Sequence, residues 1–241
     1  MKLTRIVDIE DMSRMAEEDK EAFALNRRKG FGASDSSILL GVNHWTKLDD
    51  LIFQKNQDTL TPEEIAIGEK PQVRMGADLE PLILDKFCKW SGWDVQKPTA
   101  QYRLEEAPYL TVNYDGLMEK PHEVPVECKC VSTYARKYWD FSKAMTDPTQ
   151  LVKNVRYDES SISALVEAQA KEIGIPPYYY TQVQQQLLGV ISEHAYLVAL
   201  DVKEWQIHVF KIYEDDRVQD AIISAGCAAA EKCRFIDVGL N

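Results

Sequence analysis

Apolar and polar positions along the chain fall into two periods. Residues 8–28, "DIEDMSRMAEEDKEAFALNRR", read as a polar helix with acids early and basic residues in its last turn. "KGFGASDSSILLGVNHW" follows as a Gly-rich turn, a Ser/Asp cap and a short apolar helix closed by Gly41. "LDDLIFQKNQ" reads as helix, and "DTLTPEEIAIGEKP" as a loop-rich connection. In "RMGADLEPLILDKFCKWSGW", Leu79, Leu82, Ile83, Phe87 and Trp90 form a helical stripe ending near Gly92. Pro81 belongs in a first turn, which predicts a start around Asp78 to Glu80.

The period then changes to two. "WDVQKPTAQYRLE", "YLTVNYDGLME" and "VPVECKCVS" read as successive strands, with Asp115-Gly116 and Pro121-His122 as turn signals. An aromatic and basic stretch, "TYARKYWDFSKA", leads into a polar segment to about residue 160 that is expected to be mobile. "PYYYTQVQQQLLGVIS" is a predicted helix presenting Val183, Leu187, Val190 and Ile191 on one face. "HAYLVALDV" and "WQIHVFKIY" read as a hairpin, and "DDRVQDAIISAGCAAAEKCRF" as an amphipathic C-terminal helix. The order predicts an α/β fold, a central mixed sheet flanked by helices. It is read as a single unit over 1–241: an N-terminal helical part to about 60, a core from about 70 to 215, and a C-terminal helix over 216–241.

Composition narrows the function classes. The chain has 241 residues, 45% hydrophobic and 28% charged, the balance of a globular protein. No run is long enough to span a bilayer, and the opening residues do not read as a signal peptide. Five irregularly spaced cysteines do not form a secreted disulfide framework, so a reducing, cytoplasmic setting is expected. A net charge of −11 argues against a protein coated on nucleic acid, but allows a basic groove in an acidic shell or carboxylates gathered around a divalent cation.

"VECKC" carries the candidate chemistry. In a strand, Glu127 and Lys129 share one face, while Val126, Cys128 and Cys130 share the other. Two opposite charges inside an apolar strand are costly to bury unless something uses them; the alternative is the solvated face of an edge strand. Acid-x-Lys also occurs at Asp201-Val202-Lys203, but Glu127 alone has a turn carboxylate, Asp115, twelve residues upstream. Two converging carboxylates suit Mg²⁺, and a neighbouring lysine can orient water or stabilise charge developing on phosphorus. Each residue has a simpler reading. Asp115-Gly116 suits a turn, Glu80 a helix dipole, Gln182 a solvated glutamine, and Arg28 with Ser34 or Asp35 a capped helix start.

In sequence order, Glu80, Asp115, Glu127-x-Lys129 and Gln182 resemble the PD-(D/E)XK nucleases, specifically the lambda-exonuclease and YqaJ viral recombinase family. The resemblance runs from "RRKGFGASDSSILLG" through "MGADLEPLILDKF", "NYDGLME" and "VECKC" to "TQVQQQLLGV". It implies a divalent-metal-dependent exonuclease, with Mg²⁺ or Mn²⁺, that digests one strand of linear duplex DNA from its 5′ end during phage-type recombination. A bacterial or phage-infected cytoplasm would be its setting. Asp115, Glu127 and the Cys128 carbonyl would ligate metal with Glu80 assisting, and Lys129 and Gln182 would handle the attacking water. Arg28 and Ser34 would receive the 5′-phosphate, although their interval is one residue shorter than in the lambda enzyme. A trimeric ring and a single-strand annealing partner are implied as well. The alternatives are a structure-specific or restriction-like endonuclease on the same core, or a non-catalytic DNA-end binder. An iron–sulfur nuclease is disfavoured, since no cysteine precedes Cys88. His44, His122, His194 and His208 lack ligand spacing. "TYARKYW" reads either as a DNA-contacting strip or as helix–sheet packing.

Overall fold

A computed structural model describes residues 3–8, 24–25, 27–65, 70–98, 100–118, 123–233 and 235. The central element is a five-stranded sheet. Its strands are β3 (Val95–Gln96), β6 (Gly116–Met118), β7 (Val124–Val131), β8 (His194–Asp201) and β9 (Gln206–Tyr213), side by side in that order. β7 and β8 run parallel and their neighbours antiparallel, so the sheet is mixed, as the residue pattern predicts. A second sheet joins β1 (Leu3–Asp8), β4 (Ala100–Leu104), β5 (Leu110–Val112) and β2 (Phe31–Gly32), with β2 and β5 parallel.

β8 explains the layering. "AYLVAL" is apolar at every position because the strand is covered on both faces. Tyr196, Val198 and Leu200 meet Ile83, Leu84 and Phe87 of helix α4 (Pro71–Ser91). Ala195, Leu197 and Ala199 belong to the other core. There they join residues of α5 (Ile162–Ile173), α6 (Pro177–Leu187) and α7 (Asp216–Ala230). Three shorter helices, α1 (Ser36–Leu39), α2 (Leu48–Lys55) and α3 (Pro62–Ile65), lie near the chain's start.

Several expectations change. The helix read over 8–28 falls mostly on residues outside those described; Leu3–Asp8 is a strand and Arg27–Lys29 a 3₁₀ turn. α4 begins at Pro71, not near Asp78, and runs through Pro81. Pro71 supplies the N-terminal proline, and Pro81 forgoes one bond to the preceding turn. Helix α5, capped by the Ser161 side chain and closed by left-handed Gly174, has no counterpart in the predicted elements. Ile191 is exposed because α6 ends at Leu187. Residues 145–155 lack long elements yet are tied down: Met145 N–H donates to the Val209 carbonyl, and the Tyr213 hydroxyl to that of Val152.

Asp115-Gly116 is no hairpin turn. The chain passes there from β5 in one sheet to β6 in the other, and β6 and β7 are joined through 119–122, outside the described residues. Gly116 serves close approach, since a Cβ would stand 2.5 Å from Val95 Cγ1 and 3.0 Å from Leu84 Cδ2.

Candidate active site

β7 is a central strand, so Glu127 does not sit on a solvated edge; it is 3% exposed. β8 follows β7 along one side to Val131, whereas β6 pairs with it only over Val124 to Val126. Beyond Val126 that second side is open, and Asp115, just before β6, takes the vacant position. Its Oδ2 accepts the Cys128 N–H at 2.7 Å. The N–H and C=O of one strand residue point to the same side, so the Cys128 carbonyl faces the same opening.

Glu127 is held by α6. Its Oε1 accepts from Gln182 Nε2 at 2.5 Å and from Lys129 Nζ, and its Oε2 accepts from Gln186 Nε2 at 2.6 Å. The two glutamines are four residues apart and so share a helix face. Gln186 also donates to the Asn113 carbonyl at 2.9 Å, and the Tyr114 hydroxyl donates to the Gln186 carbonyl. The "QQQ" run is therefore not solvated: Gln184, Gln185 and Gln186 are all buried.

Charge in the site is out of balance. Burial, then the Glu127 charge, pushes the Asp115 carboxyl well above the usual carboxylate range; Glu80 adds to this, while Lys129 and the Cys128 N–H oppose it. Burial favours loss of the Lys129 proton, but Glu127 and Asp115 outweigh it and hold the ammonium above its ordinary value. Lys129 Nζ also lies 4.9 Å from the Tyr179 ring centre. Asp115 and Glu127 thus share the Lys129 ammonium, while Glu80 has Lys97 as its own partner, and a divalent cation would relieve the repulsion between the first two. Among the described residues no three carboxylate, imidazole or thiol side chains converge on one point. Two carboxylates and a carbonyl leave the remaining positions to water and a phosphate, as Mg²⁺ tolerates. The Cys128 thiol lies in the apolar cluster under α4, and burial pushes its pKa far up, so the donors are oxygens. Glu80 lines the same cleft from α4 and pairs with Lys97 at 2.8 Å.

The cleft measures about 620 Å³. Asp115, Glu127, Lys129 and Gln182 form one wall; Ser34, Gly32, Arg27 and Thr111 line it from the small sheet and its approach. Thr111 Oγ1 and Gln101 Oε1 are buried in the lining without a hydrogen-bond partner among the described residues. Of the two residues expected to receive the 5′-phosphate, Ser34 lines the cleft and Arg28 does not. Arg28 is buried away from the cleft, donating to the Gln57 and Thr59 carbonyls at 2.8 and 2.7 Å and to Glu64 at 2.6 Å. Burial pushes the Glu64 acid up, but hydrogen bonds from Thr61, Gln54 and Arg28 outweigh it and set its pKa at about 2. Arg27, its neighbour in sequence, lines the cleft. Asp35 accepts the Gly32 N–H at 2.9 Å and pairs with Lys55 at 2.8 Å, so it has the capping role. Sequence reasoning missed Arg27 and Gln186. The four-residue step from Gln182 was the available signal for the second, and none distinguished the adjacent arginines.

Known proteins resemble this chain in sequence and in fold. The protein YqaJ of Bacillus subtilis (strain 168) is 28% identical over 131 residues, 54% of this chain. The match spans 40% of that protein's length. The alkaline exonuclease LHK-Exo of Laribacter hongkongensis superposes with a TM-score of 0.58 at 17% identity, over 89% of this chain and 92% of that one. Its complex with dAMP gives 0.56 at 16% identity, over 88% and 92%. These two likenesses establish a shared fold. The model of the YqaJ-like viral recombinase domain matches residues 22–190, most of the chain, and the chain belongs to that family.

Proposed function

We propose that the chain is a divalent-metal-dependent exonuclease that digests one strand of linear duplex DNA from its 5′ end and so supplies single strands for recombination. The observation carrying this reading is the convergence, on the open side of β7, of Asp115, Glu127, Lys129 and Gln182. Asp115, Glu127 and the Cys128 carbonyl would hold the metal with Glu80 nearby. Bound Mg²⁺ or Mn²⁺ would activate water and offset charge developing on the phosphate. Lys129, kept protonated, would lend positive charge to the transition state, and Gln182 would steady Glu127 and the attacking water. Ser34 would receive the terminal 5′-phosphate with Arg27, in place of the expected Arg28, as its cation. The alkaline exonuclease activity named for LHK-Exo supports the reaction class. The family resemblance extends the proposal to a ring of three chains, a single-strand annealing partner and a bacterial or phage-infected cytoplasm. Among the described residues no helix is long and apolar enough to cross a membrane.

The test is incubation of linear 5′-phosphorylated duplex, its 5′-hydroxyl counterpart and closed-circular DNA with Mg²⁺, then with EDTA. Mononucleotide release from the linear forms in Mg²⁺ alone, faster with 5′-phosphate, is expected. Cutting of the closed circle would transfer the assignment to an endonuclease, and silence in every metal tried would leave an end binder.

A further inference from the structure

The segment "TYARKYW" divides by residue. Trp139 is buried and packs on Tyr179, Phe210 and Phe141, which is helix–sheet packing. Tyr134 and Tyr138 are 74% and 51% exposed, and the Lys137 ammonium lies 4.1 and 5.0 Å from their ring centres. Trp45, from the loop after α1, is 69% exposed and rests edge-on against Tyr178, ring centres 5.0 Å apart. The Asn43 side chain fixes that loop by accepting the N–H groups of Trp45 and Thr46. Tyr178 meets Tyr179 at 4.5 Å, and Tyr179 lies under Lys129. Burial, then the neighbouring Tyr179 and Tyr138, pushes the Tyr178 hydroxyl above its ordinary range. A run of rings thus leads from Trp45 to the catalytic ammonium.

Apolar rings this exposed carry a hydration cost that packing here does not remove. Their position narrows the occupant: Tyr179, which ends the run, lines the cleft, and Lys137 stands among the exposed rings. Bases that leave the stack at a strand's end gain from a flat aromatic partner. We propose that Trp45 and Tyr138, backed by Tyr178 and flanked by Lys137, form a stacking platform for the unpaired bases of the single strand next to the scissile end. This rests on the nuclease reading, although the platform itself can be measured without catalysis.

The experiment uses the full chain in EDTA with a single-stranded oligothymidylate. Affinity is followed by anisotropy of a labelled oligonucleotide, and quenching by intrinsic tryptophan emission. Wild-type protein should bind with quenching. Trp45→Ala and Tyr138→Ala should each weaken binding roughly fivefold or more, and Trp45→Phe should restore most of it. Unchanged affinity in both alanine variants overturns the platform; metal-dependent digestion of linear duplex by the wild type would then leave the nuclease reading standing. A changed oligomeric mass with unchanged affinity also overturns it and makes the face a subunit contact. Trp45-dependent binding by a wild-type protein that never cuts DNA would keep the platform and sink the nuclease.

Discussion

β7 and β8 lie side by side, run parallel, and each carries a buried acid followed two residues later by lysine. The acids are Glu127 and Asp201, 3% and 0% exposed. Only the first pair lines the cleft. β7 continues past Glu127, so Lys129 stays on the same face and returns to its carboxylate. β8 ends at Asp201, and Lys203 enters the turn toward Glu204. Asp201 instead holds the turn by accepting the Lys203 N–H at 3.1 Å. It also stands 2.8 Å from Arg136 Nε, close enough for an ion pair but off the line of a good hydrogen bond. Among the described residues, the groups that meet its carboxylate are the Lys203 N–H and Arg136. Under the proposed reading, an acid-x-lysine spacing becomes catalytic equipment when the strand outlasts it and a second carboxylate faces it.

The largest test of that contrast is cleavage itself. Asp115→Asn or Glu127→Gln should lower turnover by at least about a thousandfold in a mononucleotide-release assay, with the circular-dichroism spectrum unchanged. Asp201→Asn should leave turnover within severalfold and instead lower stability by about 1–2 kcal/mol, read by denaturant melts. Equal losses of cleavage from both acids would erase the distinction. For the lysines, Lys129→Gln should cost about a hundredfold or more in turnover while DNA binding persists, and Lys203→Gln should cost almost nothing. A Lys129 variant that loses affinity alone would make that residue a phosphate contact.

A similar contrast separates the adjacent arginines. Arg28→Ala strips two carbonyls and Glu64 of a buried partner and should lower stability by about 2–3 kcal/mol. Arg27→Ala should leave the melt unchanged and remove most of the preference for 5′-phosphorylated ends. The smallest effect is set by acid. Burial, then the Lys211 charge, lowers the pKa of His194, where β8 begins, from 6.5 to about 4. The unfolded chain takes up this proton first, so the contribution is full above pH 6.5, falls as pH drops toward 4, and changes little below that. Screening leaves an effect on the order of 1 kcal/mol, and His194→Gln should flatten that part of a pH series of urea melts.

The strand bearing Glu127, the β8–β9 hairpin and the Gly92 helix stop were legible because each rests on local periodicity or a local cap. α5 was equally local, with Ser161 before it and Gly174 after it, but the long polar lead-in masked its apolar stripe. The α4 start was misplaced because Pro81 was given the role that Pro71 has. At the site, Asp115, Glu127 and Lys129 carry a readable spacing. Arg27 does not, since nothing local says which of two neighbouring guanidiniums turns toward a cleft and which fastens Gln57, Thr59 and Glu64. Glutamine side chains that bond distant carbonyls leave no periodic trace either.

Those glutamines have a mechanical consequence. Gln185 donates to the Phe31 and Thr111 carbonyls of the small sheet at 2.9 and 3.0 Å, and the next residue grips Glu127 of the large one. Two adjacent residues of one rigid helix thus lock the wall that would seat a strand's end to the wall that would cut it. A fixed gap between a seat and a blade works as a ruler. Under the proposed reading, that gap sets where the strand is cut, and Gln185→Leu, which frees the small sheet from α6, would blur the position of the cut before it touched the chemistry.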